Sequence, residues 1–330
     1  MREGELIDRI DRAFRHRSEV SREVRLGIGD DAALFRPRPD REMILTCDWF
    51  LEGTHFLREK HPPDSVGWKC LARAVSDIAA MGGVPRCFLL SLALPETHTG
   101  SWLDEFLAGL GRGSRRFRCV LAGGDTTRQR QISMNVTVVA DVPTGRAVLR
   151  SGAGPGELIY VSGRLGEAEL GLRVLRQSRR LGNAKSVLTR KHLYPEPRLA
   201  LGQWLREKRL AGSMMDLSDG LSSDLSRLCA ASGVGACVES GAIPCLRHPD
   251  MARKHGLDPL RLALHGGDDY ELLFTVPLRK RKLLPRAFQG IPLTPIGTIT
   301  GESKLVLRDE NGRERLLEAR GWDPFRKSGA

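Results

Sequence analysis

At 330 residues the chain is too long for one ordinary small core, and its length favours two domains. A hydrophobic content of 41% beside 28% charged residues excludes a disordered chain. A net charge of +12 suits either a nucleic-acid binder or an enzyme of phosphorylated small molecules, but none of the basic clusters at 112–118, 176–180 and 279–282 interleaves aromatics as a base-stacking platform would, and they read as solvated faces.

Residues 5–16 carry Leu6, Ile10 and Phe14 at helical spacing and predict a short amphipathic helix. The segment Gly27-Ile28-Gly29-Asp30-Asp31 follows; two adjacent carboxylates after glycines call for a cation or donors unless they form an exposed turn. Residues 43–48 predict a strand ending at Asp48, and His55 lies in the loop beyond. Asp64 and Ser65 mark the start of a helix reaching about residue 81, with Leu71, Val75 and Ile78 on its buried stripe and Gly82-Gly83 ending it. Asp77, near the negative end of that helix dipole, is explained either by an ion pair with Arg73 four residues earlier or by a metal. Residues 88–95 predict a strand and 101–117 a helix. Ala122-Gly123-Gly124-Asp125-Thr126-Thr127 reads as a turn between a strand ending at Leu121 and another over 132–139.

The glycine-rich stretch 141–156 is the expected boundary, giving domains 1–148 and 149–330. Beyond it a strand over 158–163 leads to a helix opened by Gly166 and running to about Ser178, and an extended connector at 192–198 leads to a helix over 198–209. Met214-Met215-Asp216-Leu217-Ser218-Asp219-Gly220 precedes a helix ending at Gly233, where Asp219 has the position of an N-cap. His265-Gly266-Gly267-Asp268-Asp269-Tyr270-Glu271 forms a second glycine-acid turn before a strand, and Gly321-Trp322 lies in an aromatic tail. Strands and helices alternate in both halves, which predicts an α/β or α+β architecture.

Seven scattered cysteines without a Cys-x-x-Cys pair argue against a disulfide framework or structural zinc and suit a reducing compartment. A charged N-terminus and the lack of a membrane-length apolar run point to the cytoplasm and away from a membrane. Asp30, Asp31, Asp48, Asp77, Asp125, Asp216 and Asp219 each stand within two residues of a Gly, Ser or Thr at the ends of expected elements. All-oxygen donors of this kind suit magnesium, which binds through a few carboxylates, waters and substrate phosphates. No P-loop or protein-kinase signature is present.

Gly27–Ala33, Thr46-Cys47-Asp48 with Glu52–Phe56, Ser76–Gly82, Gly123–Arg128, Asp216–Leu221 and Gly266–Leu272 together resemble, in order and spacing, the thiamine-monophosphate kinases. The resemblance covers nearly the whole chain. It implies the two-domain fold of aminoimidazole ribonucleotide synthetase, with an N-terminal mixed sheet and helices that pair across a homodimer, and a C-terminal α/β sandwich that completes the ATP and substrate site. It implies ATP-dependent phosphorylation of thiamine phosphate to thiamine diphosphate by in-line transfer, with neither protein nucleophile nor nucleic acid involved. Asp31, Thr46, Cys47, Asp48, Asp77, Asp125, Asp216 and Asp219 would be magnesium ligands, directly or through water. Gly124, Asp125, Arg150 and Ser218 would contact ATP; His55, Asp268 and Trp322 would face thiamine phosphate. Three residues depart from the family pattern: Cys47 replaces threonine, Asp268 replaces glutamate, and His265 replaces a small residue. A related selenophosphate synthetase would need a reactive cysteine with a lysine in a glycine-rich N-terminal segment. A hydrogenase-maturation relative would end in a cysteine, whereas this chain ends Lys327-Ser328-Gly329-Ala330. The rival from another class is a silent nucleotide- or nucleic-acid-binding protein.

Overall fold

Alternation of apolar residues at period two, and helical stripes on the segments between, build two compact units, seen here in a computed structural model that describes residues 3–15, 23–177 and 187–325. The first unit takes in the described residues within 1–78, 83–147 and 175–199; the second takes in those within 79–82, 148–174 and 200–330. Position 16 of the expected first helix, Ser178, the basic residues at 179–180 and the terminal Lys327–Ala330 lie outside the described residues.

In the first unit, α1 (Glu3–Arg15) buries Leu6, Ile10 and Phe14, and Phe14 meets Phe88 edge-on at 6.3 Å. The short strands β1 (Val24–Leu26) and β2 (Leu34–Phe35) pair with each other around the Gly27–Ala33 loop. A four-stranded sheet follows from β3 (Arg41–Leu51), β4 (Val84–Leu94), β5 (Val120–Arg128) and β6 (Ser133–Pro143), in the order β3-β6-β4-β5. Its β4–β5 pair is parallel and its other pairs are antiparallel, so the sheet is mixed. The helix α2 (Pro63–Ala80) buries Leu71, Val75 and Ile78, and α3 (Ser101–Phe117) buries Leu103, Phe106 and Leu110. Leu45, Cys47 and Trp49 of β3 face the other way and are uncovered: Leu45 is 70% exposed and Trp49 58%.

The expectation of a turn at Ala122–Thr127 is corrected by this sheet. These residues lie inside β5, an edge strand paired with Phe88–Leu94 of β4. The register slips by one residue there: Leu121 pairs with Phe88 but Gly123 with Leu89. The two glycines thus mark a bulge in an edge strand, where pairing is needed on one side only.

In the second unit, β7 (Leu158–Ser162) leads into α4 (Glu167–Gln177). The short α5 (Arg190–Leu193), which belongs to the first unit, precedes α6 (Leu199–Glu207). Then come β8 (Met214–Asp216), α7 (Leu221–Ser232), β9 (Gly235–Glu239), α8 (Pro249–Lys254), α9 (Pro259–His265) and β10 (Leu272–Val276). The last strands are β11 (Ala287–Phe288), β12 (Ile291–Thr300), β13 (Leu305–Arg308) and β14 (Glu314–Leu316). The sheet order is β14-β13-β9-β12-β7-β10-β8, with β11 paired to β12 and only β13–β9 parallel. Ile159, Val161, Leu225, Leu228, Leu273, Ile296 and Ile299 form its core with α7. Among the described residues no helix is long and apolar enough to cross a membrane, and all seven cysteines are free thiols.

Candidate active site

The first unit brings two of the glycine-acid segments to one cavity of about 920 Å³. The Gly27–Ala33 loop forms one wall and the bulged stretch of β5 from Leu121 to Thr126 another. Asp30, Asp31 and Asp125 all line it and are exposed. The Asp31 amide donates to Asp30 Oδ1 at 2.8 Å, which orients one of the two adjacent carboxylates. Gly124 lies at φ +156°, and a Cβ there would stand 1.9 Å from the Leu90 carbonyl oxygen. The backbone of the two strands therefore comes together more closely than any side-chain-bearing residue allows.

Thr46, Asp48, Asp77 and His55 belong to the same unit but do not line that cavity. The Thr46 hydroxyl donates to Asp77 Oδ2 at 2.5 Å, which joins β3 to the last turns of α2. The Arg73 guanidinium, one turn before Asp77, lies 5.4 Å over the Phe50 ring. Cys47 projects to the opposite face, as strand alternation requires, where its thiol donates to Asn135 Oδ1 at 3.1 Å. Its thiol is thus separated from Thr46 and Asp77 by the sheet, which leaves the main-chain carbonyl as its available ligand atom. His55 accepts the Leu51 amide at Nδ1 (2.9 Å) and stacks on Phe50 at 5.8 Å, so its own proton sits on Nε2.

The second unit brings three distant segments together. Asp216 ends β8 and is buried. Beyond it the chain keeps pairing with the segment before β10: Leu217 donates to Glu271, Tyr270 to Leu217 and Asp268 to Ser218, each at 2.8 Å. Asp268 and Tyr270 both adopt left-handed backbone, at φ +66° and +49°, and the Tyr270 hydroxyl donates to Asp268 Oδ1 at 2.7 Å. The other acids of this motif serve the scaffold. Asp269 accepts the Gly166 and Ala168 amides at the start of α4, and Glu271 accepts the Ser162 hydroxyl at 2.6 Å.

Asp219 is not the N-cap its position suggests; Gly220 holds that place without a side-chain cap. The buried Asp224 instead reaches back and accepts the Asp219 and Gly220 amides at 3.0 Å each. Burial, and next the neighbouring Asp219 charge, push the Asp224 carboxyl up to about 7. Arg227 bridges both acids, at 2.5 Å to Asp219 and 2.7 Å to Asp224. Sequence reasoning passed over Arg227, although its spacing three residues after Asp224 on a helix is a visible signal. Trp322 donates its amide to the Asp219 carbonyl at 2.9 Å and is 46% exposed. Arg150 is an exposed residue whose carbonyl accepts from Ser232 Oγ at 2.9 Å. Burial first, and then Arg261, Arg320 and Arg315, lower the pKa of His265.

Among the described residues, no group of three or more His, Cys, Asp or Glu side chains converges as a self-sufficient metal cage. The donors present are hard oxygens, which fits a cation that completes its shell with water and substrate phosphate.

Comparison with known proteins agrees across the chain. Residues 29–142 match the AIR synthase related protein, N-terminal domain, and residues 154–310 the corresponding C-terminal domain. The chain is 39% identical to the thiamine-monophosphate kinase of Escherichia coli K12 over 310 residues, covering 92% of this chain and 93% of that protein. Among solved structures, the thiamine-monophosphate kinase from Stenotrophomonas maltophilia K279a is similar at TM-score 0.81 and 37% identity, covering 92% of this chain and 95% of that one. AaThiL, solved in complex with AMPPCP and TMP, is similar at TM-score 0.77 and 32% identity, covering 98% and 99% of the two chains.

Proposed function

The chain belongs to the thiamine-monophosphate kinase family, and on that premise we infer that it uses ATP to phosphorylate thiamine phosphate, giving thiamine diphosphate and ADP. The observation that carries the reading is the cavity where Gly27–Asp31 meets the bulged Gly123–Asp125 strand, a wall of glycine backbone edged with carboxylates. Glycine backbone admits phosphate closely, and carboxylates beside it attract the cations that accompany nucleotide phosphates.

We assign Gly124, Asp125, Arg150 and Ser218 to ATP, and His55, Asp268 and Trp322 to thiamine phosphate. Magnesium would be held by Asp31, Thr46, Asp48, Asp77, Asp125, Asp216 and Asp219, and by the carbonyl of Cys47. Bound there, it would cancel repulsion between the two polyanionic substrates. The attacking atom is a phosphate-monoester oxygen, largely deprotonated at neutral pH because its second pKa is about 6. Its attack on the γ-phosphorus forms one P–O bond as the bond to ADP breaks. No protein nucleophile or strong base is required, and positioning carries most of the rate. Trp322, half-exposed beside Asp219, offers a π-face to the thiazolium cation.

Two further properties follow from the same reading. The uncovered face of the first sheet, with Leu45, Cys47 and Trp49 on β3 and Leu89 on β4, supports a homodimer through that face. The free thiols support a cytoplasmic setting.

The test is a magnesium-dependent assay with ATP and thiamine phosphate, with thiamine diphosphate and ADP quantified. Equal amounts of the two products, formed at least about 10²-fold more slowly in Asp77→Asn and Asp125→Asn, support the assignment. Salt-sensitive RNA binding without turnover, or a phosphoprotein intermediate on the turnover pathway, overturns it.

A further inference from the structure

Three consecutive amides near the end of the described chain are all received by one corner of the second unit. Arg320 donates to Ser222 Oγ at 3.3 Å, Gly321 to Ser223 Oγ at 3.0 Å, and Trp322 to the Asp219 carbonyl at 2.9 Å. Ser222 and Ser223 are buried in the first turn of α7. Ser222 Oγ also shares a hydrogen bond with His265 Nδ1, 2.8 Å away at the last residue of α9, so the one hydroxyl ties the tail amide to α9. Gly321 closes the corner. A Cβ there would lie 2.1 Å from the Asp219 carbonyl oxygen and 2.7 Å from Ser223 Oγ.

We propose that Ser222, Ser223, His265 and Gly321 form a latch that fixes the C-terminal segment against the Asp219 loop and so presents Trp322 to the thiazolium end of thiamine phosphate. These four are positioning residues; the group that meets the substrate is Trp322. The proposal rests on the substrate assignment of Trp322 made above. The arrangement makes physical sense of His265, the departure from the family pattern for which the sequence suggests no purpose. A small residue at that place would leave Ser222 Oγ without this hydrogen-bond partner. A tail anchored by consecutive backbone amides holds an indole in one orientation, and preorganisation of that kind lowers the cost of binding.

Hydrogen–deuterium exchange on the whole enzyme tests the latch, since its bonds are backbone amides. Exchange in residues 319–325 is compared among wild type, Ser223→Ala, Ser223→Thr and Gly321→Ala, each checked for folding by circular dichroism and melting. Loss of one hydrogen bond accelerates exchange about 5-fold, so Ser223→Ala should show that change, Gly321→Ala a larger one, and Ser223→Thr almost none. The KM for thiamine phosphate should rise about 10-fold in Ser223→Ala, the scale of a lost cation–π contact, by a larger factor than the KM for ATP, and by at least as much in Gly321→Ala. Unaltered exchange overturns the latch whatever the activity does. Faster exchange with an unchanged KM for thiamine phosphate overturns its role in presenting Trp322. A wild-type enzyme inert toward thiamine phosphate would strike the kinase assignment instead, and the exchange pattern would still decide whether the latch exists.

Discussion

Replacing Gly124 by alanine should damage both the fold of the first unit and nucleotide binding. The added Cβ would stand 1.9 Å from the oxygen, 2.7 Å from the carbon and 2.9 Å from the nitrogen of Leu90, all main-chain atoms of the neighbouring strand. Relief therefore requires the two strands to move apart, against the parallel pairing of β4 and β5. Overpacking costs about 1–3 kcal/mol, and a backbone at φ +156° adds about 1–3 kcal/mol for a residue with a side chain. The sum, about 2–6 kcal/mol, is a large part of the roughly 5–15 kcal/mol that holds a typical domain together. At about 2–4 °C per kcal/mol it should lower the melting temperature by roughly 5–20 °C. The adjacent glycine supplies the control. At Gly123 a Cβ would meet only Leu89 Cδ2 at 3.5 Å, an ordinary contact, so Gly123→Ala should melt within about 1 kcal/mol of wild type. Calorimetry of both variants with titration of a non-hydrolysable ATP analogue decides the matter. If Gly124→Ala melts like wild type, or if the two alanine variants melt alike, the close approach of β4 and β5 does not constrain this position.

Asp125→Asn should leave the unfolding free energy within about 0.5 kcal/mol of wild type, because its side chain is exposed, while kcat/KM falls about 10²–10³-fold, the scale set by about 3–4 kcal/mol for one charge at an effective dielectric near 20; a destabilised but fully active variant would refute this. Asp141 is held by Arg41 and Arg86, at 2.6 and 2.7 Å. Burial works to raise its pKa, but the two guanidinium hydrogen bonds outweigh that and hold the carboxyl below its ordinary value, so its contribution to stability is present above the unfolded pKa and lost as pH falls through the lower folded one. Asp141→Asn should cost about 3 kcal/mol at pH 7 by taking this carboxylate from the shielded Arg41 and leaving Arg86 with Glu23 at 3.6 Å, and denaturant melts check it. Asp224 has the opposite sign. With its carboxyl raised to about 7 in the folded chain, the native state binds a proton that the unfolded chain has released, so stability falls as pH rises from about 4 to about 7. In metal-free protein, wild type should lose stability over that window relative to Asp224→Asn, and parallel pH profiles for the two would contradict the assignment.

Much of the fold is written locally. The helix expected at 101–117 is the observed α3, and the stripe Leu71, Val75, Ile78 is buried on α2. These segments carry their period and stop signals within a few residues. Ala122–Thr127 shows where local reading fails. Two glycines and an aspartate have turn composition, but pairing with β4, more than thirty residues earlier in the chain, turns them into a bulged edge strand. The grouping of residues 175–199 with the first unit is equally invisible to composition. It depends on long-range contacts such as Trp68 Nε1 donating to the Pro195 carbonyl at 2.7 Å.

The site shows the same division in its acids. Sequence alone presents Asp268, Asp269 and Glu271 as one acidic cluster, yet the fold gives them different work. Asp269 caps the start of α4 with two amides, and Glu271 accepts the Ser162 hydroxyl inside the core. Asp268, on left-handed backbone, is left beside Ser218 and Tyr270. Asp219 and Asp224 divide likewise: Asp224 takes the amides of the loop from a buried position, and the more exposed Asp219 carboxylate turns to Arg227. A carboxylate with two backbone donors in a buried place is committed to the scaffold, because releasing it would leave both donors and a charge unsatisfied. Asp30, Asp31 and Asp125 stand exposed around a cavity edged with glycine, where exchanging water for a cation carries no such penalty. Which acids of a glycine-acid motif serve chemistry is therefore set by where the neighbouring amides point, and that is a property of the folded backbone.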